Sequence, residues 1–571
     1  MRFCIADQKG NTKGRLSALS AVSTETTMAA FALASVLLFG LYHYWAALLA
    51  GLFLAVALCR AAKARKAIVL PTTLPAVIIA VAVLFYLLSV FWAADRGMAL
   101  LGFFKYLPVP LFMVLIATAG INREKLLQAF AYAGGLSAAA CLLLGLFPVF
   151  NGILYPGGRF SGTFQYANSY GLYLLVSAVI IGTKKDLEKT DCVLCCVSFA
   201  GIFLTGSRSL LVLALATAAV LLFVNRKAVL AMACGIPVAV ALSWALGIAV
   251  TVQRSANVSF ESGEWLTRLA YYQDGIRLIA QYPFGMGHSG WWYVQPATQT
   301  AVYNVRLIHS WPLQVALDIG ILPVAFLIAA AAAAFFHKKS KLREKLLLIL
   351  ILGHSLIDFN MAFLAVMFVL VLLIPGTRTV KIYLSGKRLT AAAASCCIAV
   401  VAFAWLGTAS LMSFAGLNKV AATAYPLYTE AMERVVALEN NPEEAYRWAG
   451  RILENNKFVY GAYDVKARVY ASEGDWLNAV RMKQESLALS RLHGESYDEL
   501  LMYIHYAMQK AEAEGDVGSY AKLKRLAIGI PGQMEDVDRS MSSLAYRLKH
   551  KPKLTLSEQS EGFLGYLRSL E

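Results

Sequence analysis

The sequence predicts an all-α protein, a polytopic bundle of membrane-spanning helices followed by a domain of helical hairpins. Three observations lead to this fold class. Hydrophobic residues make up 58% of the 571 residues, and charged residues only 15%. The apolar residues come in blocks of about 17–25, which is the length of a helix that crosses a bilayer. From residue 416 onwards the chain becomes polar and keeps a helical period.

The apolar blocks predict about thirteen membrane spans. The predicted spans are 27–42, 44–59, 72–93, 98–119, 126–149, 164–182, 192–206, 209–224, 228–250, 311–336, 346–360, 362–375 and 389–414. Residues 1–26 are then a cytoplasmic tail, residues 27–415 form the transmembrane domain, and residues 416–571 form a separate domain.

The positive charge of the chain indicates its orientation in the membrane. A net charge of +17 would also fit a nucleic-acid-binding protein. However, residues 416–571 carry 20 Lys and Arg against 22 Asp and Glu, so the excess belongs to the membrane domain. The excess of Lys and Arg lies in every second short loop between predicted spans, and these loops should therefore face the cytoplasm. We expect a multi-pass protein of the cytoplasmic (inner) membrane, with loop 251–310 and residues 416–571 outside the cytoplasm and no nucleic-acid partner.

The C-terminal segment contains a degenerate repeat. YDVKARVYASEGDWLNAV (463–480) has the small residues, aromatic residues and Gly-Asp turn of a tetratricopeptide unit, and EGDW (473–476) recurs as EGDV (514–517). This pattern predicts tetratricopeptide-like helical hairpins. Stacked hairpins of this kind commonly bind a protein partner on a concave face.

The nine cysteines lie mostly in or beside apolar runs, and none follows Cys397. Cys192, Cys195 and Cys196 have a metal-like spacing, but no second ligand pair follows them. We therefore expect neither a metal site nor a disulfide framework.

Arginines are unexpectedly frequent on the predicted outer side. They are Arg159, Arg208, Arg254, Arg268, Arg277 and Arg306. An arginine at the edge of the bilayer usually faces a cavity or an anionic group, and its planar fork of N–H donors matches phosphate. The cluster predicts a pocket for a diphosphate. The alternative is that each guanidinium rests among lipid headgroups.

His309 stands in NVRLIHSWPLQ (304–314), at the entrance of an apolar run and one turn after Arg306. An imidazole can take up a proton near neutral pH, which suits it to activate a hydroxyl group. A histidine at a helix start is also often a structural hydrogen-bonding residue, so both roles remain open. Asp318 is too far along one straight helix to contact His309 directly.

Five stretches together resemble the bacterial O-antigen ligase and polymerase family of membrane-embedded glycosyltransferases. They are RFSGTFQYANSYGLYL (159–174), LTGSRSLLVLAL (204–215), TRLAYYQDGIRLIAQYPFGMGHSGW (267–291), IHSWPLQVALDIGIL (308–322) and HSLIDFNMAF (354–363). They follow the order of the family, and the resemblance covers about residues 70–415.

The resemblance implies an enzyme that transfers a glycan from a polyprenyl-diphosphate carrier to an acceptor hydroxyl, outside the membrane and without metal or cofactor. His309 would be the general base or would position the acceptor. Arg159, Arg208 and Arg268 would bind the diphosphate, with Arg306 as possible support.

The chain departs from the family at several positions. The common His-Asn pair is replaced by His309-Ser310, and Asp318 stands in place of a later glutamate. His288 in GMGHSGW is a second candidate histidine, although His309 lies in the better-matching stretch. His354 and Asp358 share a helix face, where they either support the pocket or serve packing.

Three other functions remain open. A protein O-oligosaccharyltransferase would use the repeats to recruit a protein acceptor instead of a glycan acceptor. A flippase or transporter of lipid-linked sugars would need ionisable residues along a path through the bilayer, where Lys105 is the main candidate. A membrane scaffold would use the repeats and have an inactive outer site.

Overall fold

A computed structural model describes residues 24–247, 263–376, 378–548 and 552–570 of the chain. Most of the predicted tail 1–26 and part of loop 251–310, including Arg254, therefore lie outside the described residues. The chain divides into two compact units. Unit 1 comprises Met1–Val83, Phe104–Val258 and Phe326–Gly407, and unit 2 comprises Leu84–Phe103, Ser259–Ala325 and Thr408–Glu571.

Helices account for most of the described residues up to Phe414. In chain order they are α1 (Thr24–Leu37), α2 (Tyr44–Arg65), α3 (Leu74–Ser89), α4 (Arg96–Tyr106), α5 (Pro108–Ala119), α6 (Arg123–Leu144), α7 (Asn151–Leu154), α8 (Ala167–Gly182), α9 (Lys189–Leu204), α10 (Arg208–Val224), α11 (Arg226–Ala245), α12 (Gly263–Gln281), α13 (Gly290–Thr298), α14 (Trp311–Ile319), α15 (Ile321–Phe335), α16 (Leu342–His354), α17 (Leu364–Leu372) and α18 (Gly386–Phe414). This part of the fold confirms the all-α prediction, apart from the two short strands described below.

Among the residues that the structure describes, five helical segments are long and apolar enough to cross a membrane. They are Tyr44–Arg65, Arg96–Ala119, Arg123–Leu144, Arg226–Ala245 and Gly386–Phe414. Five shorter apolar helices accompany them: α1, α3, α8, α10 and α15. These segments indicate a multi-pass membrane protein, while the count of about thirteen spans stays a prediction.

The predicted span 311–336 is wrong as a single helix, because Gly320 separates α14 from α15. Gly320 has φ +93°, and a Cβ there would lie 2.7 Å from the carbonyl oxygen of Pro283. The backbone of the preceding loop passes against this break, where the Gly287 amide donates to the Asp318 carbonyl at 2.9 Å. Only a glycine tolerates both the positive φ and the close approach.

Within unit 1, the basic connections cluster at one end of the helices. Arg65 donates to the carbonyl of Ala119 at 2.9 Å, and Arg123 donates to that of Val371 at 2.7 Å. Arg343 makes two hydrogen bonds of 2.7 Å to the carboxylate of Glu124. These bonds join the ends of helices that the charge pattern assigns to the cytoplasmic side.

The same end of unit 1 carries two strands that the sequence analysis missed. Strand β1 (Ala67–Pro71) pairs with the antiparallel strand β2 (Thr379–Tyr383), and Ala67 lies opposite Tyr383. A disulfide also joins Cys59 of α2 to Cys396 of α18, with 6.7 Å between their Cα atoms. The sequence analysis expected no disulfide framework and did not predict this pair.

Helices also dominate the chain beyond Gly416. They are α19 (Asn418–Ala424), α20 (Thr429–Leu438), α21 (Pro442–Asn455), α22 (Tyr460–Ser472), α23 (Trp476–Leu489), α24 (Gly494–Ala513), α25 (Val517–Arg539), α26 (Ser543–Leu548) and α27 (Glu558–Ser569).

The two related turns, EGDW and EGDV, have the same local structure. Gly474 and Gly515 both have positive φ, and each is followed by an aspartate that caps the next helix. Asp475 accepts a hydrogen bond from the Asn478 amide, and Asp516 accepts one from the Ser519 amide at 2.9 Å. The helical hairpins around these turns share an apolar core, whose buried members include Ala467, Ala479, Leu500, Ile504, Ala527 and Ile530.

Close packing of α9 against α11 yields a test of the fold. We predict that Gly235→Ala destabilises the protein by about 1–3 kcal/mol, since the added Cβ overfills a packed interface. That Cβ would lie 2.5 Å from the carbonyl oxygen of Cys196, which is rigid backbone. Thermal unfolding of the detergent-solubilised protein measures the effect. The control is Gly353→Ala on α16, where a Cβ meets nothing within 4 Å. Equal melting temperatures for the two variants would contradict the packing.

Candidate functional site

In unit 1, Arg159 is fixed by a chain of polar groups. Its Nε donates to the carbonyl of Thr205 at 2.8 Å, and its Nη2 donates to the Asn168 amide oxygen at 2.7 Å. Asn168 donates in turn to the carboxylate of Asp358 at 2.7 Å, and the Tyr166 hydroxyl donates to the same carboxylate at 2.9 Å. Asp358 is only 1% exposed, so these donors compensate for its lost hydration. The carboxylate thus orients Arg159 through Asn168.

A second chain of hydrogen bonds leads to the turn that carries Arg208. The amide nitrogen of Asn360 donates to His354 Nδ1 at 2.9 Å, which places the proton of a neutral imidazole on Nε2. His354 Nε2 lies 3.2 Å from the hydroxyl of Ser209 and can donate to it. Arg208 is the half-buried first residue of α10, next to Ser209. His354 and Asp358 therefore reach the two arginine-bearing segments rather than only packing between helices.

Lys105 is also buried within unit 1, at 4% exposure. Its ammonium group lies 4.7 Å from the ring centroid of Tyr42 and 5.3 Å from that of Tyr44. The ring of Tyr42 stacks on Phe363, which immediately follows the 3₁₀ turn at Asn360. These contacts have cation–π geometry, and they hold the Lys105 side chain against the two tyrosine rings.

In unit 2, His309 lies between the end of the long loop and the start of α14. Its imidazole is half-buried, and its ring centroid is 5.6 Å from that of Tyr271. The hydroxyl of Tyr272 donates to the backbone carbonyl of His309. Both tyrosines belong to α12, so this helix positions the histidine through its backbone and one ring face.

The carboxylate of Asp318 is completely buried in the same unit and accepts bonds from several groups. Gln314 donates to it at 2.8 Å and the Tyr86 hydroxyl at 3.1 Å, while His288 Nδ1 lies 3.3 Å away. Gln314 also accepts a hydrogen bond from the Ile308 amide at 2.9 Å. Asp318 thus orients the segment before residue 309 through Gln314. This indirect route agrees with the position of Asp318 near the end of α14, which is too far along the helix for a direct contact with His309.

The two candidate histidines therefore differ in their surroundings. His288 is 3% exposed and is held against Asp318, which is the environment of a structural side chain. His309 is more exposed, and an acceptor molecule can approach a half-buried imidazole more easily than a buried one. His309 is therefore the more exposed of the two candidate histidines.

Arg306 is paired with a carboxylate from the C-terminal segment. Its guanidinium forms an ion pair with Glu430 of α20, a side chain that is nearly buried. The neighbouring Glu433 accepts a hydrogen bond from Tyr293 at 3.0 Å. Burial raises the pKa of Glu433 to about 7. Arg306 therefore connects the loop that precedes α14 to the C-terminal segment.

Arg268 and Arg277 both lie on α12. Arg277 is half exposed and 3.5 Å from Asp274, which also accepts hydrogen bonds from Thr300 and Tyr303. Arg268 is half-buried in the same unit as His309. Of the expected diphosphate ligands, Arg159 and Arg208 belong to unit 1 and Arg268 belongs to unit 2.

The sequence analysis missed several polar residues that orient the candidates. Tyr166, Asn168 and Asn360 lie within the quoted stretches 159–174 and 354–363, so the stretches contained the signal although the roles were not assigned. Glu430 lies in a short helix that contains one other glutamate, Glu433, and the sequence of this helix gives no sign of the partner of Glu430. Within the described ranges, no group of three or more His, Cys, Asp or Glu side chains is placed to hold a metal ion.

Residues 193–328 match the protein-family model described as O-antigen ligase. The matched segment begins in α9 and ends in α15, and it contains Arg208, Arg268 and His309. No curated protein matches the chain. Together with the apolar helices, the match supports the O-antigen ligase family and a membrane glycan-transfer function of the ligase or polymerase type.

The buried Glu433 yields a test by pH. Its pKa in the folded protein is higher than its ordinary value of 4.5, so the folded state binds a proton more tightly than the unfolded chain. We predict that the melting temperature falls as the pH rises from about 5 to about 8, and that Glu433→Gln removes much of this fall and stabilises the protein at pH 8. The control is Glu443→Gln, whose parent side chain is 83% exposed. Identical pH profiles for wild type and Glu433→Gln would contradict the prediction.

Proposed function

We propose that the protein transfers a glycan from a polyprenyl diphosphate, such as undecaprenyl diphosphate, to an acceptor hydroxyl at the outer face of the cytoplasmic membrane. The observation that carries the proposal is the O-antigen ligase match over residues 193–328, which includes the half-buried His309. The ordered Arg159 outside that segment gives independent support.

The proposed orientation has about thirteen spans, with residues 416–571 outside the cytoplasm. Arg65, Arg123 and Arg343 each donate a hydrogen bond to a residue at the same end of unit 1. This clustering supports the assignment of that end to the cytoplasmic side. Helix α8 starts near Arg159 and ends close to Lys184, another residue of a basic connection. The ends of α8 therefore agree with an outer Arg159 and an inner Lys184.

The donor would be bound through its diphosphate. A guanidinium offers parallel N–H donors that match phosphate oxygens, and Arg159 is already held in place by Thr205 and Asn168. Arg208 is at the N-terminus of α10, where the helix dipole also favours negative charge. Arg268 is the third proposed ligand. Stabilising the charge that develops on the leaving diphosphate would lower the barrier to transfer.

The acceptor would be activated by His309. Its imidazole would take the proton of the acceptor hydroxyl as the oxygen attacks the anomeric carbon, and the bond from that carbon to the diphosphate oxygen would break. Tyr271 and Tyr272 would hold the histidine in place for this step. We propose no metal or cofactor, since arginines neutralise the leaving group in this scheme.

A protein acceptor is the second candidate, and the C-terminal helices favour it. We propose that α20–α25 are tetratricopeptide-like hairpins, because EGDW and EGDV form matching capped turns. A groove of about 570 Å³ is lined by residues of α20, α21 and α22, among them Val436, Ile452 and Val465. A peptide segment of a protein acceptor would fit such a concave surface.

The general-base role is tested by His309→Ala. We expect transfer to fall at least about 100-fold, because loss of a positioned base typically has this effect. The measurement is glycan transfer in membranes, with glycan acceptors and peptide acceptors assayed in parallel. The exposed His493→Ala is the matched control and should keep full activity. Unchanged transfer by a folded His309→Ala protein would reject the assignment.

The donor pocket is tested by Arg208→Ala. We expect the affinity for the polyprenyl-diphosphate donor to fall by roughly 10-fold or more, as expected for loss of a hydrogen bond to a charged group. Binding of the donor to purified protein measures the effect without turnover. Arg277→Ala is the control, because Arg277 already lies beside Asp274. Equal donor affinity for Arg208→Ala and wild type would reject the pocket.

A further inference from the structure

We propose that unit 2 contains a separate binding site for an anionic oligosaccharide, which would be a segment of the acceptor glycan. The site is a cavity of about 1040 Å³. It is formed by residues 92–96, by the loop around Tyr282 and Met286, and by helices α19 and α21 with the residues that follow α21. This inference rests on the proposed function, because it names the chemistry of the second substrate.

The size of the cavity indicates an extended ligand. Sites for small molecules commonly have volumes of about 300–1,000 Å³, and the volume of this cavity is slightly above that range. It opens to the surface of the unit rather than being sealed, since Arg96, Arg451 and Lys457 in its lining are all exposed. A chain of several sugar rings would fill it better than one ring.

The charge of the lining indicates an anion. Arg96, Arg451 and Lys457 contribute three positive charges, and Glu454 is the carboxylate that lines the cavity with them. Arg451 is held in place because its guanidinium carbon lies 4.7 Å from the ring centroid of the buried Trp448. An ordered guanidinium can bind the carboxylate of a sugar acid through two parallel hydrogen bonds.

An aromatic surface lies in the same cavity. The indole nitrogen of Trp92 donates to the carbonyl of Phe284 at 3.1 Å, which fixes the ring, while the side chain remains 43% exposed. Tyr282, at 37% exposure, lines the cavity with it. A fixed, flat apolar ring beside charged groups suits a sugar, which has an apolar C–H face and a polar edge.

A buried carboxylate, that of Asp95, links two of the chain segments that line the cavity. The side-chain amides of Asn455 and Asn456 donate to Asp95 at 3.1 Å and 3.0 Å, and the amide of Met98 donates to the same group. These bonds join the segment that carries Arg96 to the end of the helix that carries Arg451. The backbone segments that carry Arg96 and Arg451 are therefore held before any ligand arrives, which reduces the entropic cost of binding.

Binding of an oligogalacturonate hexamer tests the proposal, with a neutral galactose hexamer for comparison. Both are titrated against the full chain in nanodiscs of phosphatidylcholine, without donor. We expect the acidic hexamer to bind at least about tenfold more tightly than the neutral one, and the double variant Arg451→Gln/Lys457→Gln to lose this preference. Trp92→Ala should weaken both hexamers. Arg447→Gln is the matched control on α21, since Arg447 is paired with Glu444 outside the cavity lining.

Several outcomes would overturn the proposal. They are equal affinity for the two hexamers, absence of binding, or an equal loss in Arg447→Gln. Nanodiscs with phosphatidylglycerol provide a further arm, in which displacement of the acidic hexamer by the anionic lipid would assign the cavity to a headgroup instead. The assay is independent of catalysis, so His309→Ala should still bind the hexamer. Transfer that survives His309→Ala would reject the proposed function without touching this result.

Discussion

The compensation of charge at the edge of an apolar bundle is the constraint on which this structure depends. A guanidinium or carboxylate that leaves water must be held by fixed polar groups, and it otherwise destabilises the fold. Asp358 meets this requirement with Asn168 and Tyr166, and through Asn168 it holds Arg159. The groups that stabilise a buried carboxylate are thus the same groups that order a cation for an anionic ligand.

The same reasoning distinguishes residues of unit 2 that fix the fold from the residue proposed to act on a substrate. Asp318 joins Tyr86, His288 and Gln314 in one buried network, so these four residues mainly fix the loop and the start of α14. His309 contacts α12 through its backbone carbonyl and one face of its ring, and it is half-buried where His288 is buried. Two histidines on one loop can therefore have different roles although the sequence presents them as similar candidates.

The sequence predicted helices well because apolar composition and length are properties of one segment at a time. It failed where the outcome depends on two distant segments. The break at Gly320 arises from the crossing of residues 283–287, and the partner of Arg306 is a glutamate more than a hundred residues further on. The same limit explains the Cys59–Cys396 disulfide, because neither cysteine has a local signal for its partner. The role of Asn168 could have been predicted, since it follows Arg159 by nine residues in a stretch that the sequence analysis had already quoted.

The pairing of β1 with β2 has a consequence for biogenesis. Strand β1 follows the second helix of the chain, whereas β2 precedes the last helix of unit 1. During synthesis, Ala67 leaves the ribosome long before its partner Tyr383 exists. Strand β1 therefore remains without its pairing partner until the chain has been synthesised as far as β2, so this ladder can form only after most of the helices of unit 1 have been made.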